Sequence, residues 1–141
     1  FADNGKRKVA FFGLGPMFSV AQEAADELGE DFDCALIDPR FTKPIDKATT
    51  EYFARAADTV VTLEDHVLAG GYGSLVAELL VEKAIHTPLV RVGWPDQFIE
   101  HASSVGELRE KYGLTSAAVV AQIKGKSPKA ASGSSSESAV A

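Results

Sequence analysis

The sequence predicts an α/β fold: a three-layer sandwich in which a mostly parallel sheet lies between two layers of helices. Two observations predict this architecture. Short apolar runs with strand character alternate along the chain with stretches of helical apolar spacing, and each predicted strand is apolar on both faces. The chain has 141 residues, 45% of them hydrophobic, which suffices for one domain with one core.

The first half of the chain predicts two strands and two helices. Residues 9–12 form a continuous apolar run that predicts the first strand, and residues 17–28 carry the apolar stripe of a helix. The second strand follows at about residues 33–37. Asp46 is placed to cap a second helix that runs through Ala57.

The second half continues the alternation with a third strand at residues 59–63 and a helix at residues 73–83. A fourth strand is predicted at residues 89–92. Two short helices follow at about residues 105–112 and 115–123, separated by a glycine that suits the end of the first.

The ends of the chain predict three parts. Residues 1–7 have the composition of a linker from a preceding domain, and residues 8–124 form the folded domain. Residues 125–141 consist mainly of Gly, Lys, Ser, Pro and Ala, which bury too little apolar surface to offset the entropy of ordering. This last part is predicted to be a disordered tail.

Charge and cysteine content exclude several classes of function. With 14 basic and 20 acidic residues the net charge is −6, which disfavours nucleic-acid binding without a concentrated basic patch, and residues 6–8 form the only basic cluster. The single cysteine, Cys34, lies in an apolar stretch and predicts a buried, inert thiol rather than a disulfide or metal ligand. No apolar run approaches the ~20 residues that span a bilayer. We therefore expect no membrane association and a location in the cytoplasm or a plastid stroma.

An acidic pair and a glycine cluster stand between the third strand and its helix, where parallel α/β folds often bind ligands. Glu64 and Asp65 are predicted to cap the turn and bond to glycine amides; acid–base catalysis is the less favoured interpretation. His66 lacks a second histidine at metal-binding spacing, and Ser74 lacks the context of a nucleophile. The glycines of the cluster are Gly70, Gly71 and Gly73. They allow either a tight structural turn or an anion cradle at the helix N-terminus.

A Gly-x-Gly turn follows the first strand, and Asp38 ends the second strand where a ribose-binding acid would stand in a dinucleotide fold. Phe18, however, occupies the third position of that fingerprint, where Gly or Ala is needed. Pro16 also removes an amide donor from the turn. A tight strand-to-helix turn with proline at the first helical position is the favoured interpretation.

Residues 93–101 mix large apolar groups with polar ones outside any regular element. Trp94, Phe98 and Ile99 are either part of a protein interface or packed locally beneath the final helices, and both interpretations stay open.

Four blocks of residues then resemble, in order and spacing, the C-terminal domains of 1-deoxy-D-xylulose-5-phosphate synthases, which have the transketolase C-terminal fold. The blocks are residues 37–46, 62–74, 93–101 and 112–114, and the resemblance covers residues 8–123. The chain departs from the family pattern in three places: Asp65-His66 replaces Glu-Asn, Ala102 replaces a glycine, and Trp94 replaces a smaller apolar residue.

The resemblance implies a thiamine-diphosphate enzyme that decarboxylates pyruvate and joins the two-carbon unit to glyceraldehyde 3-phosphate. In this family a Gly-Asp-Gly motif holds the diphosphate through Mg²⁺ in the preceding domains, and this chain has no such motif. The resemblance therefore implies that the chain holds no catalytic, cofactor-binding or metal-binding residue. It implies instead a structural domain that packs against the preceding domains and contributes to a homodimer.

The residues singled out for contact with other domains or with an anion are Asp38, Arg40, Lys43, Glu64, Asp65, His66, Gly70, Gly71, Gly73, Ser74, Trp94, Asp96, Phe98 and His101. Two alternatives remain. One is the C-terminal domain of a transketolase or of a 2-oxoacid dehydrogenase β-subunit. The other is a stand-alone nucleotide- or anion-binding domain.

Overall fold

A computed structural model describes residues 1–99 and 104–125 of the chain. Within these residues the core is a four-stranded sheet in which all neighbouring strands are parallel. The strands in chain order are β1 (Arg7–Gly13), β2 (Phe32–Ile37), β3 (Thr59–Val67) and β4 (Leu89–Trp94). Their spatial order is β2-β1-β3-β4.

The described α-helices are α1 (Met17–Leu28), α2 (Lys47–Ala56), α3 (Tyr72–Glu82), α4 (Val105–Tyr112) and α5 (Ser116–Lys124), and a short 3-10 helix, Gly29–Asp31, follows α1. Asp46 caps α2 as predicted, and the amide and hydroxyl of Thr49 hold the pKa of its carboxyl below the usual range. Ser104 and Glu107 form a capping box at the start of α4. None of the helices in the described part of the chain is long and apolar enough to cross a membrane.

The two faces of the sheet bury separate cores. Helices α1 and α5 cover one face, where Phe11 lies in a cluster with Met17 and Val119. Helices α2 and α3 cover the other face, where Phe12 lies with Tyr72. Neighbouring residues of β1 thus enter opposite cores, as the alternation of side chains along a strand requires. The predicted α/β sandwich with a parallel sheet flanked by helices is confirmed.

Strand β2 is less fully buried than the other strands of the sheet. This strand lies at the edge of the sheet, and the side chain of Leu36 is 39% exposed. Cys34 in the same strand is half-buried rather than fully buried. Burial, followed by the charge of Asp33, raises the pKa of its thiol to about 11, which agrees with an inert cysteine.

Strand β3 is four residues longer than predicted, because Val67 still pairs with Trp94 of β4 across an irregularity in the register. Glu64, Asp65 and His66 therefore belong to the strand itself and not to a turn after it. Strand β4 likewise extends to Trp94.

The first residues of the chain lie against the domain. Arg7 already belongs to β1, and the ring of Phe1 packs edge-on against Phe53 with 5.9 Å between centroids. The amide of Ala2 donates to the carboxylate of Asp33 at 2.6 Å. Residues 126–141, most of the predicted disordered tail, lie outside the described residues, as do His101 and Ala102. The division into linker, domain and tail stays a prediction.

Candidate functional site

A crevice opens between the carboxyl ends of β1 and β3. Strand β1 leads into α1 on one face of the sheet, whereas β3 leads into α3 on the other, so the two connections diverge. Open parallel sheets bind ligands at such a switch in strand order. The crevice has a volume of about 240 Å³, and its lining includes Leu14, Lys43, Glu64, His66 and Gly70. We call it the switch-point crevice.

Glu64 is the most deeply buried charged residue in this crevice, with 1% of its surface exposed. Its carboxylate accepts hydrogen bonds from the backbone N–H groups of Tyr72 at 2.6 Å and Gly73 at 2.9 Å. These amides begin α3, where the helix dipole favours a negative charge. The predicted bond between Glu64 and amides of the glycine run is confirmed, and the protein's own carboxylate occupies the place of a bound anion.

The glycines that lead into α3 have different roles. Gly70 has a φ of +69°, in the left-handed region where a side chain is strained. Gly71 has an extended backbone, but a β-carbon there would stand 2.1 Å from Oε2 of Glu64. A β-carbon on Gly73 would stand 2.7 Å from the hydroxyl of Thr62. Gly71 and Gly73 are thus needed for close packing around the buried carboxylate.

Asp65 departs from the prediction, because it does not bond to amides of the glycine run. Its carboxylate accepts from the indole N–H of Trp94 at 2.7 Å and from the guanidinium of Arg109 at 2.8 Å. Successive strand residues point to opposite sides, so Asp65 faces β4 and α4 while Glu64 faces α3. Asp65 thereby ties the ends of β3 and β4 to α4.

Of the apolar residues in the stretch 93–101, Trp94 is packed locally and Phe98 is not. Trp94 lies against the core of the α1 face, and its ring meets that of Tyr112 edge-on at 5.9 Å between centroids. Phe98 is fully exposed, and Asp96 beside it is exposed as well. An interface role therefore stays a prediction for Phe98 and Asp96.

His66 and Lys43 are exposed at the rim of the switch-point crevice. Nδ1 of His66 lies 2.9 Å from the carbonyl oxygen of Val67. The described residues contain no group of three or more His, Cys, Asp or Glu side chains that could hold a metal ion.

Ser74 is held in a structural contact. Its hydroxyl donates to the carbonyl of Leu68 at 2.8 Å and accepts from the guanidinium of Arg91 at 2.9 Å. Arg91 also donates to the carbonyl of Leu68 and thereby fixes the segment between β3 and α3. Sequence reasoning missed Arg91, although a single charge in the apolar run of β4 was a usable signal.

The Gly-x-Gly turn after β1 is a tight strand-to-helix connection. The amide of Leu14 donates to the carbonyl of Leu63, and that of Met17 donates to Leu14. A β-carbon on Gly13 would stand 2.7 Å from the Cα of Phe18, so α1 approaches the strand closely at this point. The turn is tight, as predicted, but Pro16 is the N-cap residue of α1, and the first helical residue is Met17.

A second cavity, of about 260 Å³, lies under the loop of residues 38–46. The carboxylate of Asp38 accepts from the amide of Arg40, whose φ of +60° lies in the left-handed region. Tyr72 lines this cavity, and burial raises the pKa of its hydroxyl far above the ordinary value, so the phenol stays neutral. Phe41 forms part of the wall and is 58% exposed. We call this space the loop cavity.

Comparison with known proteins gives a consistent assignment. The family model described as "Transketolase, C-terminal domain" matches residues 2–119. A 1-deoxy-D-xylulose-5-phosphate synthase of Methylacidiphilum infernorum is 52% identical over 110 residues, which make up 77% of this chain and 17% of that protein. The synthase of Acidobacterium capsulatum is 44% identical over 108 residues, 76% of this chain and 17% of that protein.

One solved structure, titled "Split gene transketolase, inactive beta4 tetramer", superposes with a TM-score of 0.75 and 41% identity. The match covers 86% of this chain and 39% of that one. The chain thus spans about 17% of the length of the curated relatives that it matches.

Proposed function

The chain belongs to the transketolase C-terminal domain family, and from this premise we propose that it is the C-terminal domain of a thiamine-diphosphate-dependent 1-deoxy-D-xylulose-5-phosphate synthase. The observation that carries the proposal is the identity of 44–52% to synthases that bear this name, over 76–79% of the chain. The complete enzyme would decarboxylate pyruvate and transfer the two-carbon unit to glyceraldehyde 3-phosphate.

The residues of this chain do not fit thiamine diphosphate. The helix N-terminus that faces the switch-point crevice, where a diphosphate would bind most readily, is occupied by the carboxylate of Glu64. A diphosphate placed there would meet a buried negative charge. No Gly-Asp-Gly motif occurs in the sequence. We therefore place the cofactor and its Mg²⁺ in the preceding domains and assign no catalytic residue to this chain.

In this proposal the chain is structural. The bonds from Glu64 and Asp65 hold α3, α4 and the ends of the strands in one rigid unit at the carboxyl edge of the sheet. Such a unit supports packing against the preceding domains and assembly of a homodimer. The cytoplasm, or a plastid stroma in a plant-type source, is the location that goes with this proposal.

Domain replacement tests the proposal. The chain is substituted for the corresponding region of the Methylacidiphilum infernorum synthase, and release of CO₂ from pyruvate is measured with glyceraldehyde 3-phosphate as acceptor. We expect the chimera to be active and the 141-residue chain alone to be inactive. A matched control is the synthase truncated before this region, which should lose activity.

The closest rival assignment is a transketolase, because the solved structure that is 41% identical bears that title. Two parallel chimeras, one built on the synthase and one on a transketolase, separate the two. Activity that is restored only in the transketolase chimera, with ketose and aldose phosphates as substrates, would overturn the proposal.

A further inference from the structure

Three exposed aromatic residues lie around Phe53 and the loop cavity. Phe1 is 37% exposed, Phe41 58% and Tyr52 66%. The ring of Phe53 contacts Phe1, Tyr52 and Phe12 at centroid distances of 5.9, 5.2 and 6.5 Å. Phe12 in turn lines the loop cavity together with Phe41. We call the surface formed by Phe1, Phe41 and Tyr52 the aromatic face.

The loop cavity lies beside Phe41 of the aromatic face, and Tyr72, a buried residue whose hydroxyl lacks a partner, lines it. The hydroxyl of Tyr72 lies beside Thr50 but makes no hydrogen bond of normal geometry within the described residues, and Tyr72 is only 2% exposed. A buried hydroxyl without a partner lacks the hydrogen bonds that water would make, which disfavours the folded state. A polar group that enters the cavity would remove this cost.

The rim of the loop cavity is polar, and its backbone is strained at Arg40. Asp38 and Asp46 are acidic, and Arg40 adds a positive charge. Arg40 is a non-glycine residue in the left-handed region, a strained conformation that persists where surrounding contacts hold it. A mixed polar and aromatic surface of this kind is typical of interfaces between domains of one polypeptide.

We propose that the aromatic face is the surface on which the preceding domain of the same polypeptide docks, with one of its polar side chains entering the loop cavity to pair with the Tyr72 hydroxyl. This inference rests on the proposed function and adds the place and chemistry of the contact. It commits to an intrachain partner rather than to a second copy.

Two observations favour the preceding domain as the occupant. The matched synthases are about six times as long as the region they share with this chain, which is 17% of their length. Phe1 belongs to the aromatic face, so a residue joined to its amino group would lie next to that face. A tethered domain has a high effective concentration at such a surface, so a modest contact suffices to hold it.

Photo-cross-linking in the complete synthase polypeptide tests the proposal. Phe41 is replaced by p-benzoylphenylalanine, and the control replaces Val81, an 82% exposed residue of α3 outside the aromatic face. Protein mixed from ¹⁵N-labelled and unlabelled copies lets mass spectrometry separate intrachain from interchain products. We expect position 41, and not position 81, to cross-link within one polypeptide to residues that precede this domain.

Cross-links from position 41 to a second copy, or a yield no higher than at position 81, would overturn the proposal. The cross-linking measurement requires no enzyme activity, so the docking proposal and the proposed function can fail separately. An active synthase without the intrachain product removes only the docking surface, whereas the product in an inactive polypeptide leaves docking intact and removes the activity.

A second pair of variants covers the case in which the cross-linker disturbs the loop. Tyr52→Gln and Val81→Gln each replace an exposed apolar residue of a helix by the same polar one. In the complete polypeptide we expect Tyr52→Gln to lower the melting temperature and raise hydrogen exchange across α2, and Val81→Gln to do neither. Equal effects of the two variants would count against the aromatic face.

Discussion

Oε2 of Glu64 lies 2.6 Å from the backbone nitrogen of Tyr72, and this contact joins the buried end of β3 to the first turn of α3. Tyr72 is itself buried in the core of the α2–α3 face. The same bond therefore satisfies a helix amide, neutralises the helix dipole and fixes the position of a core aromatic ring.

Replacement of Glu64 should destabilise the domain more than replacement of any exposed acid. Glu64→Ala leaves two buried amides without an acceptor, and we expect a loss of about 3 kcal/mol in the free energy of unfolding. Glu64→Gln keeps one acceptor and sets an NH₂ group against the other amide, so its loss should be smaller. The control Glu78→Gln, at an exposed site of α3, should change stability by less than about 0.5 kcal/mol. Urea unfolding measures all three, and a Glu64→Ala variant as stable as the control would contradict the assignment.

Gly71→Ala and Gly70→Ala separate close packing from backbone strain. At Gly71 a methyl group would overlap the Glu64 carboxylate and the carbonyl of Val67, so we expect a loss of about 3 kcal/mol. At Gly70 nothing lies within 4 Å of the added carbon, and only the positive φ penalises alanine, by about 1 kcal/mol. Gly15→Ala, with a φ of +58° and the same open surroundings, is the control for strain alone. If all three variants lost the same free energy of unfolding, Gly71 would not be tightly packed against the Glu64 carboxylate.

Local signals in the sequence were sufficient for the helices. The bounds predicted for α1 and α4 agree with the structure. An apolar stripe indicated α1, whereas Gly113 indicated the end of α4. The end of β3 was not predictable in this way. Its last residues are polar, and they remain in the strand only because Val67 pairs with Trp94 from a distant part of the chain.

The same distinction holds within the candidate site. The bond from Glu64 to amides a few residues later followed from a local rule, and the structure agrees with it. The partner of Asp65 is Arg109, 44 residues away, and no local pattern indicates that pair. Strand β2 is partly exposed because it lies at the edge of the sheet. The composition of a strand does not reveal its place in the strand order.

The Asp65 network can be followed through the single tryptophan of the chain. Asp65→Ala removes the acceptor of the Trp94 indole and the partner of Arg109, so we expect a red shift of the emission and a loss of about 1 kcal/mol. A double-mutant cycle with Arg109→Ala should give a coupling of about 0.5–1 kcal/mol that falls in 1 M salt, because the pair is partly exposed. The control Asp96→Ala removes an exposed acid close to Trp94 in sequence and should leave the spectrum unchanged. A shift as large for Asp96→Ala would contradict the network.

Cys34 should react with alkylating reagents as a thiol of high pKa. Burial raises its pKa to about 11, with a smaller contribution from Asp33, and only the thiolate reacts. The rate with iodoacetamide at pH 8 should therefore be low in the folded protein and rise towards pH 11, whereas the unfolded chain should titrate near the ordinary value of about 8.5. Because the pKa of the thiol is higher in the folded state, its contribution to stability is present below about pH 8.5 and is lost as the pH rises through about 11.

Asp33→Asn removes the nearby charge and should lower the apparent pKa of Cys34 without abolishing the shift, since burial is the larger cause. A folded-state pKa near 8.5 would show that β2 is open to solvent at this position.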